Sequence, residues 1–409
     1  MSTNSSQTIY QIAIILWSIF IVMSGYGVLI PILPYFTERL AYKAGIIAQE
    51  DINYHIGLLT SIYPFFQLLF AVIWGKLSDR IGRKSLIVMG LVGFAMMQLL
   101  TGLVTSLIML YTARIIGGIF SSSVIPVGNA YLSDLTSKRQ RRKVLAWSGV
   151  AVSTGVIAGP MIGGYLAQID WHLYTKMGHL LLDRFSLPFL AIALFGIIVL
   201  LLVGKWLKNP QVTEATLPLD KAHKSSLGIN PVFLRLLLLS LIFQLAVTLY
   251  ETVFSVYAKE VLTFGTSQIG LGFMLCGLIM AALQPLFANV GEKIIGIKKQ
   301  LLIGFALIAL SMSLFPLWTS NTYVYMMIIV FATGGAMITP NLITMISFID
   351  ENRKGANLST QTSFNSIGQV LGPLAGMWLY TFGNLWPFLI IAILLLVTAF
   401  TVPRLKFNT

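Results

Sequence analysis

Apolar residues are concentrated in twelve runs, and short polar segments separate them. A run of about 20 apolar residues is long enough to cross the hydrocarbon core of a bilayer as a helix. Backbone amides in lipid must pair within their own segment, so runs of this length predict helices rather than strands. The pattern predicts an all-α integral membrane protein with transmembrane helices near 10–34, 57–75, 85–105, 107–132, 144–167, 186–207, 232–257, 267–290, 300–319, 322–349, 357–381 and 384–403.

Composition strengthens the membrane assignment. Of the 409 residues, 56% are hydrophobic and 10% are charged, which excludes a soluble globular protein. The only cysteine, Cys276, lies inside an apolar run, which excludes an internal disulfide and cysteine-ligated metal sites. We expect no cofactor and no metal. The chain has no Gly-Lys-Ser/Thr phosphate loop and no intramembrane cluster of His, Asp and Glu, so neither an ATP-driven pump nor an enzyme is predicted.

The net charge of +13 reflects topology rather than nucleic-acid binding. Of the 27 Lys and Arg residues, 21 lie in one alternating set of loops, at 76–84, 138–143, 205–235, 293–299, 353–354 and 404–406. Cytoplasmic loops carry such an excess of cations. The sequence therefore predicts a multi-pass protein of the cell membrane with both termini in the cytoplasm.

A polar segment at 208–231, with three prolines and no apolar period, separates spans six and seven. We interpret it as a cytoplasmic linker between a first six-helix half, 1–207, and a second, 232–409. Two sequence features recur at the same offset of 213 residues: the acidic-basic turn at 79 recurs at 292, and the Gly-Pro motif at 159 recurs at 372. Duplicated halves that rock about a central site are typical of transporters, and they disfavour a channel.

The loop at 75–85 is densely charged for this chain. Its glycines Gly75 and Gly82 are expected to let the chain reverse, and its cations Arg80 and Arg83 mark the cytoplasmic side. Asp79 is expected to bind Arg80, Arg83, Arg142 or the positive end of a neighbouring helix, and thereby to gate the inner face. Asp134, at the end of span four, is a candidate for the same network. The alternative is a solvated turn that only fixes topology.

Span five carries small residues at intervals of four. Gly155, Gly159, Gly163 and Gly164 are expected to form one face that lets a second helix approach closely, and Pro160 is expected to bend the helix.

Two charged residues lie deep inside predicted spans, where burial is costly and a charge therefore tends to face the bundle interior or a water-filled path. Glu251, in span seven, shares a predicted polar stripe with Gln244, Thr248 and Ser255. Arg114, in span four, belongs to the opposite half.

Four segments stand out together: the 75–85 loop, Gly25 to Pro34, Arg114-Ile-Ile-Gly117-Gly118, and the glycines of span five with Pro160. Together they resemble the major facilitator superfamily, and within it the twelve-span drug:proton antiporters that include bacterial multidrug and tetracycline efflux pumps. The resemblance implies two pseudo-symmetric six-helix halves, a monomer, and proton-coupled efflux of drugs by alternating access. It also marks the span-five glycines as an antiporter motif.

Several relatives carry an acidic residue in the middle of span one. Here residues 17–33 contain none, and Glu38 lies beyond Pro34. This difference favours lipophilic or monocationic substrates over a tetracycline–magnesium complex. Glu251 is then the candidate for the coupling proton, since burial among apolar groups favours its neutral form. Arg114 is expected either to organise the cavity around that acid or to serve as a static anchor. For Glu251 the alternative is a structural hydrogen bond to Tyr250 or to the backbone.

Aromatic and amide side chains of the spans are the candidates for the substrate pocket, although packing against lipid or protein is an equal alternative for each. They are Tyr26, Tyr63, Gln67, Phe243, Gln244, Asn341, Gln361, Phe364 and Asn365. The outer loop 168–185, with His172, His179 and Asp183, is expected to form an interfacial helix, with a metal or pH-sensing role as the alternative. The competing function is a facilitator-type exporter or uniporter of an endogenous metabolite, sugar or lipid.

Overall fold

The computed structural model describes residues 2–170, 173–174, 181–208, 231–349 and 354–402, so most of the predicted linker at 208–231 lies outside it. Within this part the first half contains α1 (Ser2–Val28), α2 (Leu33–Lys43), α3 (Gln49–Ile81), α4 (Arg83–Gly102), α5 (Leu107–Phe120), α6 (Val124–Leu135), α7 (Lys138–Leu166) and α8 (Ser186–Trp206). The second half contains α9 (Pro231–Glu260), α10 (Thr266–Leu286), α11 (Glu292–Ile294), α12 (Ile297–Leu314), α13 (Asn321–Phe348), α14 (Lys354–Tyr380) and α15 (Trp386–Thr401).

The predicted all-α membrane architecture is confirmed. In the described part of the chain, ten helical segments are long and apolar enough to cross a membrane. A 3₁₀ turn at Ser121–Ser123 joins α5 and α6 into one of them. The two remaining predicted spans coincide with α14, of 27 residues, and with the apolar α15, of 16 residues. We call the side on which α3 begins the outer side and the side on which it ends the inner side.

Two segments on the outer side differ from the sequence-based expectation. The first span does not continue to residue 34: α1 ends at Val28, and α2 begins at Leu33 after a turn. Pro31 and Pro34 explain the break, because neither has a backbone N–H to continue the helical ladder. The interfacial helix expected in 168–185 is also wrong where the loop is described. There, β1 (Leu173–Tyr174) and β2 (Leu181–Leu182) form a short antiparallel pair. His172 and His179 lie outside the described residues.

The charged loop on the inner side is a one-residue turn. Gly82 alone separates α3 from α4 and has φ 90°, a value that side chains with a Cβ rarely adopt. The expectation that Gly75 shares this role is wrong, since Gly75 lies inside α3. In the second half, Gly296 has the matching φ of 82° immediately before α12. A π-helical turn at Phe287–Gly291 lies shortly before it.

The same helix contact occurs once in each half. In the first half, α7 packs on α1 so closely that a Cβ added at Gly159 would lie 2.4 Å from the Ser24 carbonyl oxygen. In the second half, α14 packs on α9, and a Cβ at Gly372 would lie 2.7 Å from the Leu245 carbonyl oxygen. Gly155 and Gly163 extend the first contact, and their counterparts 213 residues later, at 368 and 376, are also glycines. The repeat agrees with a duplicated six-helix unit.

The two halves meet where α7 packs against α10. A Cβ at Gly164 would lie 2.4 Å from the Thr266 carbonyl oxygen, and one at Gly270 would lie 2.4 Å from that of Pro160. The prediction that all four span-five glycines share one face is therefore wrong for Gly164. It lies on another side of α7 from Gly163 and contacts the opposite half, while the other three contact α1. On the far side of the molecule, Gly57 of α3 packs against α14.

Candidate functional site

A small cavity lies between the halves, toward the outer side, and both predicted intramembrane charges line it. The first half contributes residues from the α1–α2 break, from α3 and from α5, and the second half contributes one face of α9. The lining residues are Tyr26, Leu29, Ile30, Leu33, Pro34, Ile56, Thr60, Arg114, Glu251, Thr252 and Ser255. The structure thus brings Arg114 and Glu251 to one place from opposite halves of the chain.

Arg114 is held in place by α3 and is 3% exposed. Its Nε donates to the Leu59 carbonyl oxygen at 3.1 Å, and its guanidinium carbon lies 4.8 Å from the centre of the Tyr63 ring. Tyr63 is itself fixed by a 2.8 Å hydrogen bond between its hydroxyl and that of Ser121. No carboxylate in the described part of the chain lies within 4.0 Å of the guanidinium nitrogens. Arg114 therefore remains a fixed, uncompensated positive charge beside the cavity.

Glu251 lies on the cavity face of α9 with its carboxylate unpaired among the described residues. The structural alternative, a hydrogen bond from Tyr250, is wrong for this conformation, because the Tyr250 hydroxyl is buried without a partner. Tyr250 instead stacks on Phe331, with ring centres 4.3 Å apart. The backbone carbonyl of Glu251 accepts a 2.8 Å hydrogen bond from Ser255, but the carboxylate makes no such bond. The carboxyl group is therefore available to a proton or a ligand.

The predicted polar stripe on α9 is correct for Glu251 and Ser255, which line this cavity, but not for Thr248. Thr248 is 3% exposed, and its hydroxyl lies within hydrogen-bonding distance of the Gln244 and Gly368 carbonyl oxygens, at 3.0 and 3.2 Å. It thus contributes to the close contact between α9 and α14. Val247, one turn before Glu251, lies on the cavity-facing side of α9 instead of Thr248.

A second cavity opens toward the inner side, and it contains four of the nine predicted pocket residues: Phe243, Gln244, Gln361 and Asn365. Amides, hydroxyls and apolar groups share the rest of its wall, namely Ser240, Val247, Met280, Gln284, Thr339, Leu342, Ile343, Leu358 and Thr362. No charged side chain belongs to the described lining. Because Gln244, Val247 and Glu251 follow one another on α9 at intervals of three and four, the two cavities lie along the same helix face.

Ser240 organises this second cavity, although it was not among the pocket residues predicted from the sequence. Its hydroxyl donates to Asn365 Oδ1 at 2.7 Å and accepts from Gln361 Nε2 at 3.0 Å. A signal was present, because Ser240 precedes Gln244 by one helical turn. Asn341, in contrast, does not reach the cavity, since its amide donates at 2.7 Å to the Met337 carbonyl oxygen of its own helix.

The remaining predicted pocket residues lie elsewhere. Tyr26 lines the outer cavity, and its ring centre is 5.4 Å from that of Tyr63. Phe364 packs against the hydrophobic core. Gln67 is half-buried in α3 and belongs to neither cavity lining.

Polar contacts between the halves close the outer side. Glu38 of α2 forms an ion pair with Lys259 of α9. Gln49 donates to Glu260 at 2.6 Å, and Glu260 also accepts a 2.9 Å bond from the Tyr380 hydroxyl. The sequence did not predict these contacts, because ion pairs between distant positions depend on the packing of the halves.

A neutral hydrogen bond completes this outer closure. The Tyr35 hydroxyl donates to the Phe264 carbonyl oxygen, which joins α2 of the first half to the second half. Burial raises the pKa of Tyr35 to about 12, so its hydroxyl remains a donor across the physiological pH range.

On the inner side the contacts of the charged loop stay within the first half. Arg83 pairs with Asp134 at 3.2 Å, which places Asp134 in the expected network, and Lys84 donates to the Gly204 carbonyl oxygen at 2.8 Å. Arg80 is exposed, while the side chains of Asp79 and Arg142 lie outside the description. The ion pair and hydrogen bonds described above between the halves lie in their outer portion. These contacts close the outer side of the molecule.

Comparison with known proteins agrees with this architecture. The family model of the Major Facilitator Superfamily matches residues 15–347 and again 236–408. The chain is 26% identical to multidrug resistance protein 1 of Bacillus subtilis (strain 168) over 92% of this chain and 91% of that protein. It is 28% identical to the class B tetracycline resistance protein of Escherichia coli over 86% and 83%.

A solved structure shows the same fold. It is a bacterial homologue of the human lysosomal transporter Spinster in an inward-facing, occupied conformation. The TM-score is 0.80 at 15% identity, covering 97% of both chains. The family match spans most of the sequence and the helices follow the fold of a solved transporter. This chain therefore belongs to the major facilitator superfamily.

Proposed function

We propose that this protein exports lipophilic or cationic compounds from the cell in exchange for protons, by alternating access of one central site to the two sides of the membrane. The inner side, with its basic loops, then faces the cytoplasm, as the distribution of Lys and Arg predicts. Relatives named for multidrug and tetracycline resistance support the choice of an efflux substrate. The outer cavity, which both halves line, supports a rocking mechanism.

One observation carries the proposal: the unpaired carboxyl of Glu251 and the fixed guanidinium of Arg114 line one cavity from opposite halves. A carboxyl among apolar groups is most stable when protonated, and once ionised it attracts a cation. A proton and a cationic substrate therefore compete for Glu251, which is the requirement for antiport. Arg114 disfavours a second cation beside the carboxyl, and its charge makes proton release easier.

The inner cavity supplies the proposed substrate site. Phe243 and Met280 offer apolar and polarisable surface, and the amides of Gln244, Gln361 and Asn365 offer hydrogen bonds in several directions. This mixture tolerates different lipophilic molecules. A substrate that advances one to two turns along α9 from this cavity reaches Glu251.

The motif residues are assigned supporting roles. In the proposed cycle, Gly82, Arg83 and Asp134, with Asp79, Arg80 and Arg142, form the inner gate. The tight packing of α7 against α1 and α10, at the span-five glycines and Pro160, excludes water and limits proton leak. The Glu38–Lys259 ion pair forms the outer gate in the conformation described above.

The decisive experiment measures pH-driven efflux of a fluorescent cation from proteoliposomes. Glu251→Gln keeps the size and the hydrogen-bonding capacity of the side chain but cannot ionise. We expect it to abolish efflux driven by a proton gradient, because neither the proton nor the cation can then bind a carboxylate at this position. Glu50→Gln, which changes an exposed outer carboxylate, is the matched control and should transport normally. Proton-driven efflux by Glu251→Gln at the normal rate would sink the proposal.

The competing function is uniport or export of an endogenous metabolite, sugar or lipid without protons. The uncharged lining of the inner cavity is compatible with such a substrate. Proton release from the purified protein on substrate addition separates the two functions. Antiport predicts release that disappears in Glu251→Gln, and uniport predicts none.

A further inference from the structure

A groove separate from both central cavities lies between α9 and α15, close to the inner side. Its described lining consists of Arg235, Leu238, Leu239, Ile242, Leu394, Val397, Thr398 and Thr401. It contains about 950 Å³ of space, part of it open to the surroundings. None of these residues lines either central cavity. The groove is therefore not part of the proposed transport path.

The wall of the groove faces the bilayer. Leu238 is 43% exposed, Leu394 is 38% exposed and Val397 is 57% exposed. Next to them on α15, Ile393 and Phe400 are 62% and 73% exposed. Apolar side chains with this exposure on a transmembrane helix lie against acyl chains, so the natural occupant of the groove is a lipid.

The inner end of the groove carries a positive charge. Arg235 lies in the first two turns of α9, where that helix reaches the inner membrane interface, and its side chain is exposed. Its guanidinium has no hydrogen-bond or ion-pair partner among the described residues, and no acidic residue belongs to the described lining. The hydroxyls of Thr398 and Thr401 donate to carbonyl oxygens of α15 at 2.7 and 2.6 Å. Arg235 is thus the one charged group that the described groove offers to a ligand.

We propose that this groove binds an anionic phospholipid of the inner leaflet. The lipid phosphate contacts the guanidinium of Arg235, which presents paired N–H donors that match phosphate oxygens. One acyl chain lies along Leu238, Ile242, Leu394 and Val397. A zwitterionic lipid carries the same phosphate, but its ammonium group is repelled by Arg235, and the groove therefore selects net negative charge.

The test uses the full-length protein in nanodiscs that contain equal amounts of phosphatidylglycerol and phosphatidylcholine, followed by native mass spectrometry of the retained lipid. The unmodified protein should retain phosphatidylglycerol preferentially. Arg235→Gln should lower that retention about fivefold, the effect of one basic residue near the membrane surface, with phosphatidylcholine unchanged. Arg141→Gln removes an exposed inner-side cation outside the groove and should retain lipid as the unmodified protein does.

A second variant tests the acyl-chain contacts independently. Val397→Trp keeps Arg235 but fills the groove, and it should reduce retention of both lipids while leaving the size-exclusion profile unchanged. If Arg235→Gln does not fold, two other variants still decide the question. Val397→Trp should lose both lipids, and Arg235→Lys should retain phosphatidylglycerol. Equal retention of the two lipids by the unmodified protein, or an equal loss in Arg141→Gln, would refute the proposal. Displacement of phosphatidylglycerol by inorganic phosphate would replace it with a free-anion site.

Discussion

The ion pair between Glu38 and Lys259 should set the balance between outward-closed and outward-open conformations. It joins the two halves at the outer side, and the side chains of the pair are only 26% and 14% exposed. Opening the outer side must separate the two charges. We therefore expect Lys259→Met, which keeps the length of the aliphatic chain, to increase the outward-open population.

The size of the effect follows from the partial burial of the pair. Two unit charges about 4 Å apart attract each other by about 4 kcal/mol at an effective dielectric constant of about 20. Desolvation and screening by solvent cancel much of this, because both ions regain full hydration when the gate opens. The ammonium also lies 5.2 Å from the centre of the Tyr35 ring, a contact worth about 0.5–1 kcal/mol. A net loss of about 1–2 kcal/mol corresponds to a shift of about 5–30-fold in the equilibrium.

The shift can be measured by electron paramagnetic resonance between spin labels at Ile47 and Phe382, which are 77% and 61% exposed and lie in the outer loops of the two halves. Lys259→Met should populate a longer distance than the unmodified protein. The double variant Glu38→Lys with Lys259→Glu restores the attraction with reversed polarity and should restore the short distance. Unchanged distances in the single variant, or a double variant that behaves like it, would show that the pair does not hold the gate.

Three further substitutions test the packing and the site. Gly164→Leu forces a side chain into the backbone of α10, where even a Cβ would lie 2.4 Å from a carbonyl oxygen, and should lower the melting temperature by an amount equivalent to about 1–3 kcal/mol. Gly149→Leu, where the added Cβ meets open space, should not. Arg114→Lys keeps the charge but loses the fixed guanidinium geometry, and it should reduce the efflux rate at least tenfold with normal expression. Ser240→Ala removes two hydrogen bonds from the inner cavity, and should raise the substrate KM about 5–30-fold, equivalent to about 1–2 kcal/mol, with little change in melting temperature.

The sequence predicted the helices and the two intramembrane charges because both signals are local. A span is defined by consecutive apolar residues, and a charge within it is recognisable without knowledge of its neighbours. The sequence did not predict where α1 breaks, because a hydropathy run can continue through prolines that interrupt the helix.

Other features could not be predicted because they depend on distant contacts. The partner of Glu38 is more than 200 positions away, and only the docking of the halves brings Lys259 to it. Thr248 and Asn341 are polar residues of the kind that line pockets. In the structure, however, the Thr248 hydroxyl and the Asn341 amide donate hydrogen bonds to helix carbonyl oxygens. Local sequence cannot separate a free polar side chain from one that is already satisfied.

The duplicated scaffold explains why only one half carries the proposed proton site. Equivalent glycines of α7 and α14 contact Ser24 in α1 and Leu245 in α9, so the first helices of the two halves correspond at an offset of 221 residues (24 to 245). The same offset pairs Glu251 with Ile30, and both residues line the outer cavity. The position equivalent to the carboxyl thus holds an apolar side chain that lines the same cavity. If Glu251 alone couples transport, Ile30→Glu with Glu251→Gln moves the acid to the first half's side of the same cavity, and it should restore part of the pH-driven efflux that Glu251→Gln loses. Efflux that stays at the Glu251→Gln level in a folded double variant would show that the geometry of α9, and not the presence of one carboxyl in the cavity, determines coupling.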